Sequence, residues 1–234
     1  MMNKSLQRRS TVFMIALVLM AFGVILATKA DLGTSPISSV PYVASLRLPL
    51  TIGEATLVMN IVFASIEIAI LKNAFQKKDL SQFITVLIFS ASCDIFTYLL
   101  CQVEMTTYVC QWMLTVISTM ILAFGVSMEV AANVSMMPGE FLVKIIAART
   151  NAEFGTVKVC FDITLISISI VMALCFFGYL NGVREGTVFA AIATGFFVKF
   201  FNKLYHKTGF IDWMYSGERM SNYLGEEQPL DHGQ

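Results

Sequence analysis

The feature that most limits how this chain can fold is a spacing: apolar windows about as long as a bilayer crossing recur from one end to the other. Thr11 to Thr28 runs eighteen residues without a charge. A helix rising about 1.5 Å per residue needs about twenty such residues to cross a hydrocarbon core of about 30 Å. Inside that core no water satisfies the backbone, so a crossing segment must close its own hydrogen bonds, and continuous windows of this length do so as helices. Six windows qualify: Thr11 to Thr28, Gly53 to Leu71, Leu80 to Cys101, Thr107 to Val130, Gly155 to Phe177 and Thr187 to Phe201. The expected fold class is all-α, a polytopic membrane protein with six transmembrane helices. The formal net charge is zero, so nothing at whole-chain level asks for a nucleic acid, and the lipid bilayer is the first partner.

The amino terminus, MMNKSLQRRS, has the basic flank of a signal peptide. The apolar run after it is too long for a signal core, so an uncleaved first span is expected.

Two shorter windows remain, Pro36 to Leu46 and Pro138 to Ala148, each eleven residues. A helix of that length covers roughly 16 Å, too little to cross alone. Each opens on proline, which suits a first helical turn whose N–H has no partner to lose. Both read as half-helices. Lysine and arginine placement decides between six crossings and eight. With six crossings and both termini cytoplasmic, Lys72, Lys77, Lys78, Lys144 and Arg149 lie inside against Lys29, Arg47 and Arg184 outside. With eight, Lys29, Lys72, Lys77, Lys78 and Arg184 lie outside against Arg47 and Arg149, so six is preferred.

Sliding the sequence against itself by 102 residues aligns Gly23 to Leu71 with Gly125 to Ala173 without a gap, with ten of 49 positions identical. Pro36 falls on Pro138, Arg47 on Arg149 and Gly53 on Gly155. Aliphatic identities mean little in so apolar a chain; the pattern Pro-x10-Arg-x5-Gly means more, because there are only five prolines. Each half is a long span, a half-helix and two long spans. Three crossings is an odd number, so the second half enters from the opposite face and the repeats are inverted. The expected organisation is a cytoplasmic segment 1–10, a first membrane repeat 11–101, an outer loop 102–108, a second repeat 109–203 and a cytoplasmic tail 204–234. Inverted repeats with broken or partial helices are a recurring plan of secondary transporters, which bind substrate where the repeats meet.

That plan gives LGTSPISSVP, Leu32 to Pro41, a purpose. Polar, irregular backbone at membrane depth is tolerated where protein buries it or where it lines a wet cavity. Gly33 permits close approach, Thr34 and Ser35 are cap-type residues before Pro36, and the helix start offers N–H groups and a partial positive charge. The counterpart around Pro138 replaces hydroxyls with methionines and adds Glu140 in the first turn, so the two starts are not chemically equivalent.

Leu32-Gly33-Thr34-Ser35-Pro36, followed by Leu50-Thr51-Ile52-Gly53 opening the next span, resembles the YczE/YyaS/YitT-like integral membrane proteins of bacteria, over most of the chain through about Tyr215. The resemblance implies a multi-pass protein of the bacterial plasma membrane and carries no catalytic or ligand residues to transfer.

An ionisable side chain inside a span costs about 2.5–3.5 kcal/mol on insertion scales, so each asks for a partner or a purpose. Asp94 has no basic residue within one helical turn and is the strongest single functional candidate, with proton exchange as its suggested role. Lys158 and Asp162 are one turn apart and can pair, and their positional counterparts are Thr56 and Asn60. Glu67 shares a helix face with Asn60 and is expected to reach Lys72 at the cytoplasmic edge. Glu129 is expected to be solvated near a boundary. The expected site is a wet, acidic gap between the repeats, binding a small-molecule or ion substrate through Thr34, Ser35, Pro36, Asn60, Pro138, Lys158 and Asp162 together with Asp94, Glu67 and Glu129.

Enzyme classes fare worse. The two histidines, His206 and His232, lie after the spans, no zinc-ligand spacing falls inside them, and neither a Gly-x4-Gly-Lys-Ser/Thr loop nor a Gly-x-Ser-x-Gly elbow occurs. No cofactor or metal is expected. Cys101 and Cys110 flank the outer loop and would suit a disulfide in an oxidising compartment, but packing residues are the preferred reading. The functional expectation is a secondary transporter of a small polar or cationic solute; the rival is a non-transporting membrane scaffold whose polar residues are all satisfied internally.

Overall fold

The structure, a computed structural model, describes residues 4–71 and 81–216. Among them the chain is all-helical: α1 (Lys4–Lys29), α2 (Pro36–Ser45), α3 (Ile52–Leu71), α4 (Ser81–Leu99), α5 (Tyr108–Ala132), α6 (Pro138–Thr150), α7 (Phe154–Phe177), α8 (Glu185–Thr208) and α9 (Phe210–Met214). Six of these, α1, α3, α4, α5, α7 and α8, are long and apolar enough to cross a membrane. The half-helices α2 and α6 each carry proline in the first turn. Lys72, Lys77, Lys78 and Leu80, and the tail beyond Ser216 with His232, lie outside the described residues.

The two repeats are inverted, and the first span of each shows it. A β-carbon on Gly23 of α1 would press on the Leu122 backbone of α5, and one on Gly125 of α5 would press on Met20 and Ala16 of α1. Met20 and Leu122 are themselves counterparts at the 102-residue offset, so the contact is reciprocal. As α1 ascends from Met20 to Gly23, its partners on α5 descend from Gly125 to Leu122, so the helices are antiparallel. Two facing glycines let the backbones approach closely, which in lipid supplies the dispersion contact that holds helices together. The other contacts repeat under the same exchange: α1 packs on α4 as α5 does on α8, α2 on α3 as α6 does on α7, and α3 on α6 as α7 does on α2.

Each first span ends in the same way without sharing a residue type. Asp31 and Asn133, counterparts at the offset, both adopt a left-handed backbone, φ 57° and 45°. An arginine binds the freed carbonyls in each case. Arg184 donates to the Asp31 carbonyl at 2.7 Å, and Arg9 donates to those of Ala132 and Asn133 at 2.8 and 2.5 Å. These bonds satisfy orphan groups that a helix end otherwise leaves bare in the bilayer.

The ends differ from the sequence expectation. α1 includes Lys4 to Ser10 ahead of Thr11, and α8 runs past Phe201 to Thr208 before Gly209, φ +67°, turns the chain into α9. The aromatic group after the last span is structured. Arg8 lies 5.1 Å from the Trp213 ring and Arg9 4.6 Å from that of Tyr215, tying α9 and its following turn to the start of α1.

Candidate functional site

The half-helices meet at the axis that exchanges the repeats. A β-carbon on Gly139, in the first turn of α6, would fall on the Ile37 side chain, in the first turn of α2. Ile37 and Gly139 are counterparts, so the contact lies on the axis itself, and since that axis exchanges the two ends of the bundle the meeting point is at mid-depth. α6 then runs to the end of the bundle where α1 begins and α3 finishes: Arg149 donates to the Ile70 carbonyl at 2.8 Å. α2 runs to the opposite end, so each half-helix dips to the middle and returns.

The seam around this contact is apolar. Phe63, Leu142 and Leu165 are buried together, with Val40, Met59 and Phe161 packed against them. At the offset these fall into matched pairs: Phe63 with Leu165, Val40 with Leu142, Met59 with Phe161. The expectation of a wet, acidic gap is therefore corrected. Dispersion packing fills the axis, and the polar groups lie to either side of it.

On the α2 side they are neutral. Thr34, Ser35, Ser38 and Ser39 are buried. Ser35 occupies the N-cap position ahead of Pro36 but makes no side-chain cap bond; its hydroxyl pairs with that of Ser38 at 3.0 Å. Ser39 shares a 2.6 Å bond with Ser169 of α7 and donates to the Pro36 carbonyl. Asn60 donates to the Thr56 carbonyl one turn earlier on α3 at 2.9 Å. Gly33, φ +93°, brings the chain so close to the start of α8 that a β-carbon would strike Thr187 and the Arg184 amide. Among the described residues the Thr34 and Thr187 hydroxyls have no hydrogen-bond partner.

On the α6 side they are charged. Lys158 and Asp162 of α7 form the expected ion pair, at 2.8 Å, with Lys158 5.9 Å from the Phe161 ring. Glu140 stands within electrostatic reach of both. Glu129 is not solvated near a boundary: it is 2% exposed, and among the described residues neither carboxylate oxygen has a hydrogen-bond partner. Glu140 and the Met137 N–H stand within electrostatic reach of it. Glu140 and Asp162 both face the one ammonium of Lys158, which Asp162 binds.

The chain belongs to DUF6198, a family of unknown function, whose model matches residues 7–203. No curated protein and no solved structure matches it. The match covers both half-helices and both charged and neutral clusters of this DUF6198 protein.

Two of the residues expected in the site lie elsewhere. Asp94, near the end of α4, accepts from the Thr51 hydroxyl at 2.9 Å and from the Gly53 N–H at 2.8 Å, so it holds the start of α3. The partner it required comes from another helix. Glu67, near the far end of α3, accepts from Gln82 of α4 at 2.9 Å; Lys72 lies outside the described residues. Cys101 and Cys110 are free and exposed.

The repeats also differ in how their last two spans sit. α3 packs along α4, whereas α7 and α8 stand apart and leave a cleft of about 410 Å³. Ile166 and Ile170 of α7 face Val183, Arg184, Glu185 and Val188 across it. At the offset, Glu67 corresponds to Ser169 and Gln82 to Arg184. The pair that bridges α3 to α4 thus has a counterpart that is unbridged: Ser169 is bound to Ser39, and Arg184 to Asp31 and Glu185. Gln82 carries no motif, and only the 102-residue offset would have drawn attention to it.

Proposed function

We propose that this protein is a secondary carrier of a small polar or cationic solute across the bacterial plasma membrane, with both termini in the cytoplasm. The observation that carries the reading is the difference between the repeats: one joins its last two spans through Glu67 and Gln82, and the other leaves the matched spans open. In inverted-repeat carriers the two halves exchange conformations to alternate access around a central element. Here the exchanged state would close α7 on α8 and part α3 from α4, and the packed axis of α2 and α6 would serve as the barrier that both states share. Arg8, Arg9, Lys144, Arg149, Lys203 and Lys207 at the end bearing the termini support the orientation by the positive-inside rule.

The rival, a membrane scaffold without transport, draws on the same apolar seam, which offers a solute no open chamber. Paired cysteines separate the two. In a background lacking the native cysteines, residues 67 and 82 should cross-link in the resting protein, and residues 169 and 184 should cross-link when a solute found by thermal-shift screening is added in proteoliposomes. A carrier yields both cross-links and solute flux. Absence of the second cross-link and of flux across small cations, amines and amino acids overturns the carrier in favour of the scaffold.

A further inference from the structure

Glu129 is a buried carboxylate at a position that the other repeat fills without one. Its counterpart in the first repeat is Ala27, which is also buried and plays the same packing role on α1 without a carboxylate. Around Glu129, α6 contributes Glu140, and its N-cap residue contributes the Met137 N–H. α1 contributes Arg9, which is directed to the Ala132 and Asn133 carbonyls. α8 contributes Tyr205, which is bonded to Ser127, and Tyr215 after α9 donates to the Ala131 carbonyl. None of these hydrogen-bonds the carboxylate, and its two oxygens are buried with no partner among the described residues. Beyond Glu140 stands the Lys158–Asp162 pair, whose side chains are 28% and 17% exposed. The groups form a series running from a closed interior position to a partly open one.

We propose that Glu129, with Glu140 at the start of α6, binds a proton, and that this is the coupling site of the carrier. An ionised carboxylate without a hydrogen bond or counter-ion is costly at this depth, and the single ammonium of Lys158 is already matched by Asp162. The proton is the cation that fits, since one carboxylate suffices to hold it. A metal ion asks for several oxygen ligands, and among the described residues no three His, Cys, Asp or Glu side chains are placed to share one. The first turn of α6 gives the site its leverage. Loss of the proton leaves a charge facing the Met137 N–H and the positive end of the α6 dipole, and draws the half-helix toward α5; binding of the proton releases it. Glu140 then passes the proton to and from the Lys158–Asp162 end. This rests on the carrier reading for what the proton drives, but not for where it binds.

Dicyclohexylcarbodiimide tests the site in the intact protein, because it modifies protonated carboxyl groups in apolar surroundings, and peptide mass spectrometry locates the adduct without any variant. The expected result is an adduct on Glu129 that forms readily at acid pH, declines as pH rises, and is unaffected when sodium replaces choline. Glu129→Gln should lose the adduct, and Glu129→Asp, kept in case the first variant does not fold, should retain it. No adduct on Glu129 at any pH overturns the proposal. An adduct suppressed by sodium but not choline overturns the choice of proton and assigns the site to a metal cation. Lack of solute flux with the adduct intact defeats the carrier reading and leaves the proton site standing.

Discussion

The starts of α2 and α6 occupy equivalent places in the fold, touch each other on one axis, and are surrounded by opposite chemistry. Around α2 stand Ser35, Ser38, Ser39, Thr56 and Asn60, neutral groups that bond to one another or to nearby carbonyls. Around α6 the matched or adjacent positions hold Glu129, Glu140, Lys158 and Asp162, and Glu129 is left without a hydrogen bond among the described residues. Duplication fixed the backbone and left the side chains free to diverge. A hydroxyl within a helix can donate to a carbonyl one turn back, as Ser39 does to Pro36, so most of the α2 side satisfies itself, Thr34 and Thr187 excepted. A carboxylate finds no free N–H within an intact helix and needs a cation, which Asp162 has in Lys158 and Glu129 lacks among the described residues. The lesson is that backbone symmetry locates a site, and the break in symmetry says what it does.

Several substitutions test how far that comparison reaches. The largest effect belongs to the shared backbone: Gly23→Leu and Gly125→Leu should each cost more than about 3 kcal/mol by forcing α1 and α5 apart, and should abolish monodisperse protein on gel filtration. Equal penalties support the twofold relation; a marked inequality breaks it. Next, Ala27→Glu should cost about 2.5–3.5 kcal/mol, since it buries a carboxylate where the first repeat supplies nothing to receive it. Thermal unfolding should show this as a lowered midpoint, and an unchanged one would mean that Glu129 has no special position. Third, Gly53→Ala should cost about 1–3 kcal/mol, because its β-carbon would fall on the Ser90 carbonyl and on Asp94, whereas a β-carbon on Gly155 meets only the Glu153 carboxylate at 3.7 Å, an ordinary contact, and Gly155→Ala should change stability by less than about 0.5 kcal/mol. The same denaturation assay on both variants separates a repeat whose last two spans are joined from one where they stand apart. Asp94→Ala should cost about 1 kcal/mol as a lost helix cap, read by unfolding in the absence of solute. A transport defect with unchanged stability would return this residue to the site. Smallest is Ser39→Ala, about 0.6 kcal/mol for one interhelical hydroxyl bond.

The sequence made the Lys158–Asp162 pair legible because the two residues sit one turn apart on the same helix, where backbone geometry alone brings side chains together. It made the half-helices legible by their length and their leading prolines. Asp94 was misleading for a physical reason: its partners, Thr51 and Gly53, are 43 and 41 residues away, and no periodicity encodes a distance of that kind. Glu129 was misleading in the other direction, since its position near a span boundary suggested water, and only the packing of the surrounding helices closes it off.

What the chain alone determined is the class of fold, the number of crossings and the duplication. All three follow from the exclusion of water from the bilayer, which forces each apolar window of sufficient length to be a helix and lets its pattern be read locally. What only the tertiary structure decided is which polar residues are paired and which are stranded, that the axis is filled by Phe63, Leu142 and Leu165, and that α7 stands off from α8 while α3 holds α4. Those outcomes depend on side chains far apart in sequence competing for the same small space, and packing in three dimensions is the step at which that competition is settled.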